Sequence, residues 1–297
     1  MPVILFFYFS EFLVTFTPVH HITPTMKKFF WILIALALAS CNTLHYNMKK
    51  NPEQFASSGR ITLKSTSPVL FSDEFNQRTI SPYWKKSMYW SGPMFNPETP
   101  ASGYYSPDNI TFTDSSVRLW TRYQPKYFYR EKYGDSVRID YSIGLIDLYP
   151  WVSKSNGLTT DFMVECRAKM PDGNREWPAF WLTGYEQWPP EIDVFEYWND
   201  STGQFTSNFH FNQRDRHRQA LQKHRMTIPL KDDFHTYGLK IMDDQMEFYF
   251  DGFLFRKLRS VNQYLHKLTV ILQNGVHDDP YNDTFLEVDW LRIYRLR

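Results

Sequence analysis

Cysteine is nearly absent: the 297 residues hold 2, Cys41 and Cys166. The chain therefore has no disulfide framework, and Cys166 could pair only with Cys41. Helical periodicity is also scarce; its best candidate, around residues 216–223, is short and uncapped. There is no Gly-rich phosphate loop, no Cys/His metal spacing and no His-Glu-x-x-His, so neither an organic cofactor nor a catalytic metal is expected. A net charge of +1 gives the molecule no general bias toward nucleic acid or a membrane surface, and any charge argument must be local. Internal repeats and low-complexity tracts are missing too.

Aromatic residues, by contrast, make up 18% of the chain, with 10 Trp, 19 Tyr and 25 Phe. They suit the pleated, half-buried surfaces of strands, and a flat ring also fits the apolar face of a pyranose. From Pro68 onward, short apolar runs alternate with turn residues at intervals of roughly ten, the pattern of an all-β antiparallel sandwich. Residues 117–121, 162–168 and 286–294 read as strands. Residues 245–250 run into Asp251-Gly252 and then 253–256, a hairpin signal, because a type I′ turn needs positive φ at both central positions. Cys166 lies in the alternating 162–168 run and is expected to be a buried structural thiol. One large domain fills this length, with a sheet that can curve around a cleft.

The N-terminus carries a different signal. Met26-Lys27-Lys28 precedes an apolar run over 29–39 and then Leu38-Ala39-Ser40-Cys41. That run suits a signal h-region and is short for a bilayer span. The tetrapeptide resembles a bacterial lipobox, which makes Cys41 the lipid attachment site and places the protein at a bacterial cell envelope, anchored by lipid alone. Residues 26–41 are then a lipoprotein signal peptide, 42–66 a polar tether and 67–297 the folded domain, with translation starting at Met26 and no role for 1–25.

The segment Glu191-Ile192-Asp193-Val194-Phe195-Glu196 carries three acids in an otherwise apolar strand. Residues two apart share a face, so Glu191 and Asp193 point together, whereas Glu196 is out of phase by one. A β-bulge would reset the alternation and bring Glu196 onto the same face. Without it, Glu196 would face the core unpaired, at a cost of about several kcal/mol. Like charges raise one another's pKa, which suits a retaining glycosidase: one carboxylate attacks while another holds a proton, about 5–5.5 Å away. A solvated acidic strip would leave the flanking aromatics Trp177, Trp181, Trp188, Phe195, Tyr197 and Trp198 without a purpose, and a calcium site prefers loop geometry with mixed carbonyl ligands, which fits a strand poorly.

Trp177-Pro178-Ala179-Phe180-Trp181 followed by Glu191-x-Asp193-x-x-Glu196 resembles glycoside hydrolase family 16, in its bulged form. Further similar pieces follow in order from Phe71-Ser72-Asp73-Glu74-Phe75, through Ser142-Ile143-Gly144 and Phe209-His210-Phe211, to Val288-Asp289-Trp290-Leu291-Arg292. The resemblance implies a concanavalin A-like jelly roll with a glycan cleft on its concave face and endo-acting, retaining hydrolysis of a β-glucan or galactan. It makes Glu191 the nucleophile, Asp193 its helper and Glu196 the general acid/base. Trp177 and Trp181 would stack against sugars and His210 would bond near the helper acid. Trp188 and Trp198 are further sugar-binding candidates. It also implies a structural calcium near Asp289, a polysaccharide partner and a monomer. Two departures, His210-Phe211-Asn212 and Gln187-Trp188-Pro189-Pro190, fall where sugars are contacted, so the substrate does not carry over.

After the His210 strand, Arg214, Arg216, His217, Arg218, Lys223, His224 and Arg225 crowd one connection. A solvated loop is the plainer expectation; a grip on sulfate or carboxylate groups of an anionic polysaccharide is the sharper one.

Overall fold

The computed structural model describes residues 67–91, 103–155, 157–173, 175–197, 204–226, 228–259, 267–277 and 282–297. The expectations for Cys41, for residues 1–66 and for Trp198 lie outside them.

Two sheets, antiparallel except for a short parallel pairing of residues 104–105 with 142–143, pack face to face. The first is built around β4 (Val117–Arg130), β7 (Phe162–Lys169), β13 (His235–Met242) and β17 (Thr284–Arg295), and takes in ten strands among the described residues. The second runs in the order β11 (Arg216–Gln219), β10 (Gln204–Gln213), β9 (Glu191–Glu196), β8 (Glu176–Gly184), β16 (Leu268–Val276) and β6 (Leu145–Asp147), with β12 (Gln222–Arg225) also on β10. Alternation along each strand sends one set of side chains between the sheets. Val164, Phe180, Ile192, Leu239 and Ile293 meet there, none more than 1% exposed. The sandwich expected from the alternating pattern is the observed fold, in keeping with the jelly roll that the resemblance implies.

Cys166 sits in this core at 0% exposure, and burial pushes its thiol well up, so it is inert as a nucleophile. Asp251 and Gly252, at φ 47° and 80°, make the turn between β14 (Gln245–Phe250) and β15 (Phe253–Arg259), as the dipeptide predicts. Gly144 lets the chain pass from β5 (Asp135–Ile143) in the first sheet to β6 in the second. A Cβ there would stand 2.6 Å from the Asn109 carbonyl oxygen, which only glycine avoids.

The helix candidate at 216–223 is corrected: the segment forms β11 and β12 on the edge of β10. The exposed peptide groups of β10 reward an extended partner, and Arg214 and Asp215, at φ 51° and 58°, turn the chain tightly between Gln213 and Arg216. Among the described residues, helix is confined to short pieces such as α1 (Tyr149–Val152). Among the described residues no helix is long and apolar enough to cross a membrane.

Candidate active site

Strand β9 lies between β8 and β10, and its register slips on both sides at the same place. Glu191 and Asp193 stand opposite His210 and Asn208, whereas Glu196 stands opposite Thr206. On the other flank Asp193 faces Trp181 and Phe195 faces Phe180, leaving Val194 unmatched. This is a β-bulge at Val194. Ile192, Val194 and Phe195 are all fully buried between the sheets, while Glu191, Asp193 and Glu196 turn to the opposite face. There they line a cavity of about 210 Å³ together with Trp177 and Trp181.

Each glutamate is held by one indole. Trp177 Nε1 donates to Glu196 Oε1 at 3.0 Å, and Trp188 Nε1 donates to Glu191 Oε2 at 3.1 Å. Thr206 Oγ1 donates a longer bond to Glu196 Oε2, at 3.4 Å. Asp193 Oδ2 is buried without a hydrogen-bond partner, 3.5 Å from His210 Nε2. Burial raises the pKa of all three acids, as the largest cause in each. The Asp193 charge adds to the rise at Glu191, and the Glu196 charge adds to it at Asp193. Arg256, donating to the Ser207 carbonyl at 2.7 Å on the core side of β10, pulls Asp193 the other way. Three acids this close in a largely buried cleft retain at least one proton near neutrality, and the proton belongs to the group of acids rather than to one of them.

His210 has a defined tautomer. Asn208 Oδ1 accepts from the Phe209 N–H at 2.9 Å, which turns the Asn208 amide nitrogen toward His210 Nε2, 2.8 Å away. Neutral His210 therefore carries its proton on Nδ1 and donates to His217 Nε2 at 2.9 Å. Trp188 leans over His217 at 4.9 Å between centroids and keeps 54% of its surface exposed, a flat apolar face at the mouth of the cleft.

The opposite wall comes from the segment 85–91, which sequence reasoning missed. Lys85 and Asp147 exchange both backbone hydrogen bonds at 2.8 Å, and Asp147 Oδ2 accepts from the Tyr89 N–H at 2.9 Å. Lys85 Nζ closes the segment on the Met88 and Tyr89 carbonyls. Met88 and Trp90 thereby line the cavity, with Trp90 edge-on to Trp181 at 5.9 Å and 44% exposed. The Tyr89-Trp90 pair in a stretch without strand alternation was the available signal. Gln273, opposite Ala179 on β16, supplies a buried amide on the floor.

The basic connection divides. His224 is 1% exposed, accepts or donates to Ser207 Oγ at 2.8 Å, and is driven down to about 3 by burial and by Arg256; it is a core residue and leaves the set of surface cations. Lys223 stands opposite Thr206 and so shares the cleft face, whereas Arg216 and Arg218 alternate with His217 and point to the other side. Asp289, near which the resemblance implies a calcium, pairs one carboxylate oxygen, Oδ2, with the Arg167 guanidinium. Among the described residues, acids and histidines close enough to share an ion are Glu191, Asp193 and His210.

Residues 153–273 match the model of the glycosyl hydrolases family 16. The chain is 23% identical over 249 residues to an endo-1,3-1,4-beta-glycanase, EglC, of Rhizobium meliloti, covering 76% of this chain and 51% of that protein. It is 30% identical over 161 residues to a glucan endo-1,3-beta-glucosidase of Cryptopygus antarcticus, covering 52% and 53%. The chain thus spans about half the length of each of these two relatives. The catalytic domain of a laminarinase from Thermotoga petrophila superposes with a TM-score of 0.61 at 20% identity, over 77% of this chain and 98% of that one. Residues 153–273 are thus similar to a glycoside hydrolase family 16 domain, on a fold shared with that laminarinase.

Proposed function

We propose that the protein is a retaining, endo-acting glycosidase that cleaves internal bonds of a β-1,3- or mixed-linked β-1,3-1,4-glucan. The observation that carries this is the bulge at Val194, which sets Glu191, Asp193 and Glu196 on one face of a cleft. Glu191 attacks the anomeric carbon as its carboxylate, steadied by the Trp188 N–H. The glycosidic C–O bond breaks as Glu196 gives its proton to the departing oxygen. Glu196, now a carboxylate, takes a proton from water, whose oxygen attacks the same carbon and frees Glu191. Asp193 holds a proton between the two and limits the charge the cleft must carry. Trp177, Trp181, Trp188 and Trp90 offer flat faces to the sugars. The names of the relatives support the substrate class.

A sulfated galactan is the second reading, favoured by Lys223 on the cleft face. A panel of laminarin, mixed-linked glucan and sulfated galactan, with products sized and their anomeric form followed by NMR, tests both. Products of several lengths with retained configuration are expected from a neutral glucan. Inverted anomers would sink the mechanism, and cleavage confined to the sulfated polymer would replace the substrate. The lipid anchor on Cys41, and with it a place at a bacterial envelope, remains part of the proposal. Its test is fatty-acid labelling in a bacterial host, which Cys41→Ala should abolish.

A further inference from the structure

His210 Nε2 stands 3.5 Å from Glu191 Oε1 and 3.5 Å from Asp193 Oδ2, and the donor atoms of the three residues all lie within 4.8 Å of one another. A tetrahedral zinc ion holds nitrogen and oxygen ligands at about 2.0–2.2 Å, which sets neighbouring donor atoms roughly 3.3–3.6 Å apart. The spacing around His210 already has that edge length. We propose that the cleft binds a zinc-type divalent ion through Glu191, Asp193 and His210, with the fourth position open to the cavity.

An independent observation points the same way. Asp193 is 3% exposed, and its Oδ2, on the His210 side, has no hydrogen-bond partner. A buried carboxylate oxygen without a donor is costly, and a cation answers it. The surroundings also match what metal ligands need, because partners of the ligands fix their orientation. His210 Nδ1 donates to His217 Nε2 at 2.9 Å, and the second oxygen of Glu191 is held by Trp188 Nε1 at 3.1 Å. Asn208 caps His210 Nε2, but it has a second acceptor in Gln219 Oε1 at 3.3 Å and can release the ring nitrogen. Coordination expels the protons that the crowded acids otherwise share. The open cavity of about 210 Å³ gives the ion its way in.

A bound ion occupies the nucleophile and its neighbour, so ion and polysaccharide exclude each other. Zinc then acts as a reversible inhibitor; that consequence rests on the glycosidase reading, whereas the binding does not. The test is titration of the purified full chain with zinc chloride by calorimetry, and with cobalt(II) by visible absorption, where tetrahedral coordination gives intense bands. Asp193→Asn, which keeps the side-chain shape, and His210→Ala should each remove one zinc equivalent and the cobalt bands, at unchanged circular dichroism. His217→Gln should weaken the site by about 10–100-fold. These variants separate the cleft from histidines elsewhere in the chain. Zinc stoichiometry and affinity unaltered in Asp193→Asn overturn the proposal. In turnover assays zinc should raise KM at constant kcat, with full recovery on adding a chelator. Binding that vanishes in the variants, in a metal-free protein that cleaves no polysaccharide, would leave this inference standing and overturn the glycosidase reading instead.

Discussion

Glu191 and Glu196 share one face of a single strand although five positions separate them, because Val194 bulges out of register between Asp193 and Phe195. The extra residue goes into the core, where Ile192, Val194 and Phe195 are all fully buried. Deleting Val194 leaves Glu-Ile-Asp-Phe-Glu, a regularly alternating strand that still points all three acids into the cleft. The deletion variant is expected to fold with stability lowered by about 1–3 kcal/mol, in line with a lost core side chain, and to keep measurable activity. Urea unfolding and a reducing-sugar assay check both halves.

Glu191→Ser should abolish turnover without loss of fold, since no other carboxylate in the cleft is placed to form the covalent intermediate in its stead. Glu196→Gln removes the proton donor and should lower kcat by about 10²–10⁴-fold. A substrate with a good leaving group needs less protonation, so its first step should suffer less. Equal losses on good and poor leaving groups would remove Glu196 from the acid role.

The crowded acids carry a stability cost with a definite sign. Burial raises the folded-state pKa of Glu191, Asp193 and Glu196, so the fold binds protons more tightly than the unfolded chain. Their contribution is fully present below an ordinary carboxylate pKa of about 4 and is lost as pH rises through the raised values, which for Glu191 reach about 8. Asp193→Asn removes one charge and should raise Tm at pH 8 relative to the unaltered protein, with a smaller difference at pH 4. Activity should fall at the same time. Melting curves at the two pH values decide this; an equal shift at both would tie the effect to packing rather than charge.

Asp147 ties down the wall that carries Trp90. Its carboxylate accepts from the Tyr89 N–H, the Tyr149 N–H and Thr269 Oγ1. Asp147→Ala orphans one buried donor, Thr269 Oγ1, and two part-buried ones, at up to about 1–3 kcal/mol each, so this variant should be strongly destabilised. Asp147→Asn keeps one acceptor oxygen and should be milder in unfolding. Trp90→Ala leaves this anchoring intact and should raise KM several-fold with little change in kcat. A fall in kcat alone would place Trp90 outside ground-state sugar binding.

Much of this was legible along the chain. The alternating runs, the Asp251-Gly252 turn and the phase slip at Glu196 are local features, and the backbone obeys them. The 216–223 stretch misled because β11 and β12 are too short to show a period, and their extended form depends on the unpaired edge of β10. His224 misled for the same reason: its one-letter neighbours are cations, but its strand faces it inward toward Ser207 and Arg256. Trp90 was invisible as a site residue because Asp147, 57 positions later, is what sets it beside Trp181.

The sequence by itself determined the sandwich, the acidic strand and the need for a bulge, because side-chain alternation and the cost of burying a charge act within a few residues. Only the tertiary structure decided which groups surround those acids. Trp177, Trp188, Asn208, His210 and His217 reach them from different strands and loops, and hydrogen bonds between them depend on ångström-scale register that no single segment encodes. That register fixes where protons rest in the cleft, and therefore what it can do to a glycosidic bond or a metal ion.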